Sequence, residues 1–284
     1  MAAASEIHIP VKSNPAEDWT VVLPRRGKKK KKNTTTTFSH NRVIPKREKQ
    51  AQPWTPADIE TDPERESRLM QKMQICIQKL VGSNFYNSFL NQMRSPETLI
   101  KFLRVLGSER QMEMVIYGIG SIDSFEPPRL QLALAVLMKR SFDWIGGIQV
   151  FDPIISLTES RVLTSLGCEV LSVNEQGRRP VVRPTLFFMP HCEVELYDNL
   201  LQANWGLDPL SRMVLFGNSF SEYEQQVSIS GCALVSRQHV LAAKSFTDEI
   251  GVGNLSDYVF RAFHGSSWHF FRPGSLDCLR LDDL

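Results

Sequence analysis

The chain has no apolar run approaching the ~20 residues needed to cross a bilayer. It has no C-x-x-C pair and no strong excess of charge of either sign. The first lack removes a membrane-spanning helix. The second removes a disulfide framework or a Cys-rich zinc site, because Cys76, Cys168, Cys192, Cys232 and Cys278 are odd in number and widely scattered. Reduced thiols in a cytosolic or nuclear protein are the simpler reading. No metal is expected, since His264 and His269, which flank Trp268, have no fixed ligand spacing and read as packing or surface residues. The third lack counts against a uniformly basic nucleic-acid-binding domain. The opening MAAASEIHIPVK lacks a basic segment followed by an apolar one, so secretion is not expected.

The 284 residues carry a formal net charge of +2, which conceals an asymmetry. Residues 1–50 hold 12 Lys and Arg against 4 Asp and Glu, or +8, which leaves −6 for the remainder. The segment 1–64 is rich in Pro, Lys, Thr and Asn and has no sustained apolar period. It buries too little apolar surface to offset its ordering entropy and is expected to be a disordered arm. Its basic cluster over 25–32 is either a nuclear import signal or a solvated tail. Trp19-Thr20-Val21-Val22-Leu23 is an apolar island just upstream, a candidate docking peptide.

Helical periodicity begins near Pro63, where Leu69, Met73, Ile77 and Leu80 share one face. A second helix carries Phe85, Phe89 and Met93. A third has Ser95 as N-cap, Pro96 at its first position and Gly107 just past its end, with an apolar face of Leu99, Phe102, Leu103 and Leu106. These three flank the main sheet. Buried strands are expected at 114–117, 145–151, 168–173, 185–189 and 212–216, and a further short one at 268–271. Helices are expected at 129–139, from Ser156 to before Gly167, and at 194–205. Ser156 and Glu159 form a capping-box pattern. Continuous apolar strands alternating with helices predict an α/β Rossmann-like fold, a mainly parallel sheet covered by helices on both faces.

Ligands of such sheets bind beyond the carboxyl ends of the strands, near the switch in strand order. Gly118, Gly120 and Ser121 follow the first strand there, and glycines let backbone N–H groups approach an anion. Asp152 ends the second strand, where an acid commonly accepts from a ribose hydroxyl. Together they outline a nucleotide or S-adenosylmethionine cleft. The fingerprint is incomplete, since Asp123 stands where the third glycine belongs and Asp152 lies 32 residues beyond Gly120. A carboxylate at Asp123 would repel a pyrophosphate and tolerate a sulfonium, which favours S-adenosylmethionine over a dinucleotide. The competing reading is a tight strand-to-loop turn that Asp152 caps locally. No cofactor is assigned.

His191 and Cys192 follow the fourth strand at the same edge. His191 could move protons, and Cys192 would be activated if it lay at the N-terminus of the following helix. Gly217-Asn218-Ser219 is not a nucleophile elbow, because the second glycine of G-x-S-x-G is missing. Asn218 and Ser219 either line the cleft or cap the next helix. Cys168 and Cys232 lie in apolar surroundings and read as inert thiols.

Several stretches carry a family resemblance: Val115 to Ser121, Phe151-Asp152-Pro153, Leu166-Gly167-Cys168, Phe188-Met189-Pro190-His191-Cys192, Leu200 to Trp205, and Gly217-Asn218-Ser219-Phe220. In order and spacing they resemble the Sensitivity to Red Light Reduced proteins, and Trp19-Thr20-Val21-Val22 before Arg25-Arg26 looks like that family's amino-terminal element. The resemblance implies a regulator found in nucleus and cytoplasm that feeds the circadian clock, affects clock-gene expression, and serves phytochrome B-dependent and independent light responses through protein partners. It supplies no catalytic residues. The organisation expected is a basic arm over 1–64, a Rossmann-like domain of that family over 65–272, and a variable tail over 273–284. Two further functions stay open beside it. One is an S-adenosylmethionine-dependent methyltransferase-like enzyme. The other is direct DNA binding by the arm, the weaker because no base-reading motif accompanies it.

Overall fold

A computed structural model of the chain describes residues 53–56, 58–223, 238–253, 258–272, 274 and 279. The basic cluster over 25–32, the island over 19–23, Cys232 and Cys278 lie outside the described residues. Three helices open the fold: α1 (Pro63–Val81), α2 (Asn84–Arg94) and α3 (Pro96–Leu106). There follow β1 (Met112–Tyr117), α4 (Glu126–Ser141), β2 (Ile145–Phe151), α5 (Leu157–Ser165), β3 (Cys168–Val170) and β4 (Thr185–Met189). The chain continues through α6 (Val194–Ala203), α7 (Leu207–Ser211), β5 (Met213–Asn218), α8 (Gln238–Lys244), β6 (Thr247–Gly251), a 3-10 turn (Tyr258–Phe263) and β7 (Ser266–Phe271).

The seven strands form one sheet in the order β3-β2-β1-β4-β5-β7-β6. Pairings from β3 to β5 are parallel, whereas β7 runs antiparallel to both β5 and β6. Alternate residues of a strand face opposite sides, so each central strand serves two cores. Met114, Ile116, Leu186, Phe188, Val214 and Phe216 pack under α1 to α5. Val115, Tyr117, Phe187, Met189 and Leu215 pack under α6, α7 and α8. The expected α/β sheet covered on both faces is the one observed. No helix among the described residues is long and apolar enough to cross a membrane.

Local signals act where chemistry requires them. Asp62 accepts from the Glu64 N–H to start α1, Ser95 accepts from the Thr98 N–H to start α3, and Ser156 with Glu159 closes the capping box of α5. Other expectations shift. The helix expected from residue 129 begins at Glu126, because Pro127 and Pro128 fit in a first turn whose N–H groups need no intrahelical partner. In α3 the buried face is Thr98, Phe102, Val105 and Leu106, while Leu103 is 48% exposed. In α1, Cys76 takes the buried position and Ile77 is only half-buried.

The third strand stops at Val170 rather than Val173, because a segment upstream of α1 takes over its partners. Pro53 bridges Val173 in antiparallel fashion, and the Trp54 N–H donates to the Ser172 carbonyl at 2.7 Å. The Trp54 indole stands edge-on to Phe151 and donates to the Pro153 carbonyl. The Asp58 carbonyl accepts from the Leu157 N–H at the start of α5. The packed body therefore begins ahead of residue 65. Leu279, beyond the expected domain end, returns to accept from the Trp205 indole at 2.7 Å.

Candidate functional site

The carboxyl edge of the sheet divides into two parts. On the β1–β2 side, Gly118 (φ 65°) and Gly120 (φ 76°) turn the chain out of β1 in left-handed conformations that favour glycine. The Gly120 N–H donates to Asp152 Oδ2 at 2.8 Å, and the Ile154 N–H donates to Asp152 Oδ1 at 3.0 Å. Asp152 thus caps two turns at once. Glu159, almost wholly buried, binds the same loop more tightly. Its Oε1 accepts from Ser121 Oγ at 2.6 Å and the Asp123 N–H at 3.0 Å, and its Oε2 accepts from the N–H and Oγ of Ser156. Asp123 faces α1, not the edge. Partial burial raises its carboxyl pKa, but hydrogen bonds from Arg65 (2.7 Å) and Lys72 (3.1 Å) outweigh this and hold it below the usual range. The expected repulsion of a pyrophosphate by Asp123 is corrected accordingly, since two cations on α1 neutralise it.

Cys192 sits where β1 and β4 part. Its Sγ donates to the Tyr117 carbonyl at 3.2 Å, and a Cβ built on Gly118 would stand 2.6 Å from that sulfur. The close approach that a glycine allows is therefore already filled by a side chain of this protein. Burial pushes the Cys192 thiol pKa far up, with the Asp152 and Glu193 charges adding to the effect. The expectation of an activated thiol is corrected: although α6 starts two residues later, the sulfur faces Tyr117 and Gly118. Cys168 is likewise an inert thiol, pushed up by burial to about 11.

These observations test the fit of S-adenosylmethionine. The space over Gly118 is occupied by a sulfur, both Asp152 oxygens hold backbone N–H groups, and Trp54 stands beside Phe151 at the end of β2. The residues do not fit the group, and no chemical step is assigned to it.

On the β4–β5–β7 side lies a cavity of about 460 Å³, lined by His191, Asn218, Ser219, Glu222, Tyr223, Arg261, His264 and Gly265. His191 is one of two non-glycine residues with positive φ among the described residues, at 58°. Such a backbone costs about 1 kcal/mol or more and persists when its surroundings over-determine it. Here the His191 N–H donates to Asn218 Oδ1 at 2.7 Å, and its Nε2 lies 3.0 Å from the His264 carbonyl. A carbonyl only accepts, so Nε2 carries a proton here, and a ring with that proton alone keeps a lone pair on Nδ1. Asn218 is itself fixed. Its Nδ2 donates to the Cys192 carbonyl and to Tyr223 Oη, and its N–H donates to Tyr197 Oη, which in turn donates to the Met189 carbonyl. The Ser219 N–H donates to the Gly265 carbonyl, and Ser219 Oγ accepts from the Glu222 N–H, so Ser219 both lines the cavity and caps.

The six residues singled out from sequence fall into two groups. His191 and Asn218 meet in the cavity. Gly118, Gly120, Ser121 and Asp152 do not line it and instead stabilise the neighbouring turn. Glu222 and Arg261 were missed, and His264 was set down as a packing or surface residue. The 3-10 turn and antiparallel β7 bring Arg261 and His264 alongside β5 from some 70 residues beyond His191, and no local motif signals that return.

Residues 88–270 match the SRR1 domain family. The chain is 52% identical over 258 residues to Protein SENSITIVITY TO RED LIGHT REDUCED 1 of Arabidopsis thaliana, covering 90% of this chain and 92% of that protein. It is 32% identical over 232 residues to an SRR1-like protein of Mus musculus, covering 74% of this chain and 88% of the mouse one. Among solved structures, the 23S rRNA methyltransferase ErmE is similar over 64% of this chain and 70% of its own, at 10% identity and a TM-score of 0.32. The plantazolicin methyltransferase BpumL is similar over 75% of this chain and all of its own, at 10% identity and a TM-score of 0.28. With a family match over most of the folded body and a relative 52% identical along nearly its whole length, this chain belongs to the SRR1 domain family.

Proposed function

We propose that this protein is a regulator of light signalling that feeds the circadian clock, changes clock-gene expression, and serves phytochrome B-dependent and independent responses. It acts through protein partners in nucleus and cytoplasm, with the β4–β5–β7 cavity as its working site. The observation that carries the reading is the 52% identity to an Arabidopsis protein named for reduced sensitivity to red light, sustained over 90% of this chain. The geometry supports a binding role over a methyl-transferring one, because the glycine turn is closed by Cys192 whereas the neighbouring cavity is open and charged.

The test is expression of the full chain in Arabidopsis plants lacking their Protein SENSITIVITY TO RED LIGHT REDUCED 1. Seedling growth under red light and the period of clock-gene transcription should both return to the wild-type range. Failure to restore the red-light response would overturn the reading, and restoration of that response without the clock period would remove its circadian part. Direct DNA binding predicts measurable, salt-sensitive affinity for duplex DNA, and its absence at low salt removes that alternative.

A further inference from the structure

The cavity at the β4–β5–β7 edge holds two opposite charges that do not use each other. Arg261, on the 3-10 turn, and Glu222, four residues beyond the end of β5, both line it. Neither side chain forms a hydrogen bond or an ion pair with any described residue, although nearby acids and bases elsewhere in the fold pair readily, as Arg65 does with Asp58 and Asp123. Arg261 is an exposed residue, and so is Glu222. The Glu222 carboxylate lies against Gly265, where an added Cβ would stand 2.9 Å from Oε2, and Gly265 adopts φ 67°. His191 lines the same cavity and offers the Nδ1 lone pair left free when Nε2 donates to the His264 carbonyl. The donors and acceptors of Asn218 are already engaged, so it shapes the wall and orients His191.

We infer that this cavity binds a small zwitterion of the free amino-acid class, its carboxylate held by Arg261, its ammonium by Glu222, with His191 Nδ1 accepting a further hydrogen bond from the ligand. A guanidinium presents a planar fork that matches a carboxylate, and an ammonium is complementary to an unpaired acid. A simple anion would leave Glu222 facing it, and a simple cation would face Arg261. Only a ligand carrying both signs satisfies the pair. About 460 Å³ is ample for an amino acid and small for a folded partner. The site is preorganised, because the hydrogen bonds that hold His191 in its left-handed conformation exist before any ligand arrives.

The inference rests on the reading of this cavity as the working site. The plant rescue tests the regulator and the titration below tests the ligand, so the failure of one is distinct from the failure of the other. The full-length purified chain is titrated with each of the common L-amino acids, and with acetate and methylammonium as probes carrying one charge each. Melting temperature and the imidazole resonances are followed. At least one amino acid should raise the melting temperature and shift the His191 ring signals, while acetate and methylammonium bind far more weakly. Arg261→Met and Glu222→Gln should each weaken that binding by about tenfold or more. Arg104→Ala, in the separate cavity at the opposite edge of the sheet, should leave it unchanged. The proposal is overturned if no amino acid binds, if either single-charge probe binds as well as the amino acid, or if the two cavity variants bind as the parent does. Should a cavity variant fold poorly, the parent's preference for the amino acid over both single-charge probes decides the matter alone.

Discussion

Two halves of one sheet edge are made from similar residues and finish differently. On the β1–β2 side, Asp123, Asp152 and Glu159 all end in hydrogen bonds or ion pairs within the fold, and the space over Gly118 is filled by Cys192. On the β4–β5–β7 side, Arg261 and Glu222 face one cavity with no partner among the described residues, and His191 is held in a strained backbone beside them. Glycines and an acid beyond a strand are equally what a ligand site and a self-sufficient turn require, so residue type does not separate the two. The distinguishing quantity is whether the polar atoms are already satisfied. A closed network stabilises the fold, and unpaired charges lining a cavity are free to take a ligand.

The largest expected effect lies on the closed side. Glu159→Ala removes the acceptor of the part-buried Ser121 hydroxyl and Asp123 N–H and strands the buried Ser156 donors. Each stranded donor costs roughly 1–3 kcal/mol, so a loss of about 4 kcal/mol is expected. That corresponds to a fall of roughly 10 °C in the melting temperature for a domain of this size. Glu159→Gln keeps one acceptor oxygen and should recover part of the loss. A loss under about 1 kcal/mol by urea denaturation would show that the closed side is not held by Glu159. Next comes Gly118→Ala, expected to cost about 3 kcal/mol from a left-handed backbone and overpacking together. Because the added Cβ meets the Cys192 sulfur, a double-mutant cycle with Cys192→Ala should show a coupling of about 1–2 kcal/mol. Zero coupling would mean that the sulfur does not fill the space over the turn.

Most of the fold was legible, and the reasons can be traced residue by residue. Val115-Ile116-Tyr117 and Leu186-Phe187-Phe188 are buried on both faces, so they read as unbroken apolar runs. Strand β6, Thr247–Gly251, was not foreseen, because an edge strand of half-buried polar residues has neither a run nor a clean alternation. In α3 the residues around Leu103 support two adjacent apolar stripes, and only packing against Phe270 and Trp144 selects the stripe that carries Phe102. The candidate site was legible in part. His191 lies two residues past β4 and Asn218 is the last residue of β5, where position alone marks them, whereas Arg261 and Glu222 gain meaning only from an antiparallel return that no local pattern encodes.

A third expected effect concerns pH and tests how far protonation reaches the open side. His269 on β7 is fully buried beneath Phe220, whose own helical turn carries Glu222. Burial pushes its pKa down to about 4, against a smaller upward pull from Glu249, whose Oε1 lies 3.9 Å from Nε2. The ring's Nδ1 faces the Leu215 carbonyl. A base with a depressed folded pKa binds its proton more readily in the unfolded chain. Its contribution to stability is therefore complete above the unfolded value of 6.5 and is lost as pH falls from there towards 4. The slope from one such group is at most about 1.4 kcal/mol per pH unit. His269→Gln should flatten that part of the stability–pH curve measured by urea denaturation, and an unchanged slope would assign the dependence to other groups.

The smallest expected effect is the most direct probe of the open side. His191→Ala keeps the positive φ and loses the bond from Nε2 to the His264 carbonyl, so a cost of about 1 kcal/mol is expected. His191→Gly loses the same bond but relieves the left-handed conformation, and the two terms should cancel to within about 0.5 kcal/mol. At Gly118 the substitution runs the other way: an added Cβ there is resisted by backbone and by the Cys192 sulfur together. If His191→Gly is as costly as His191→Ala, the backbone at His191 stores no strain. The open edge would then owe its shape to side-chain packing, as the closed edge does. If glycine is the better tolerated, the fold sustains an imidazole at a position where stability alone favours glycine, and the reason for it lies in what Nδ1 contacts in the cavity.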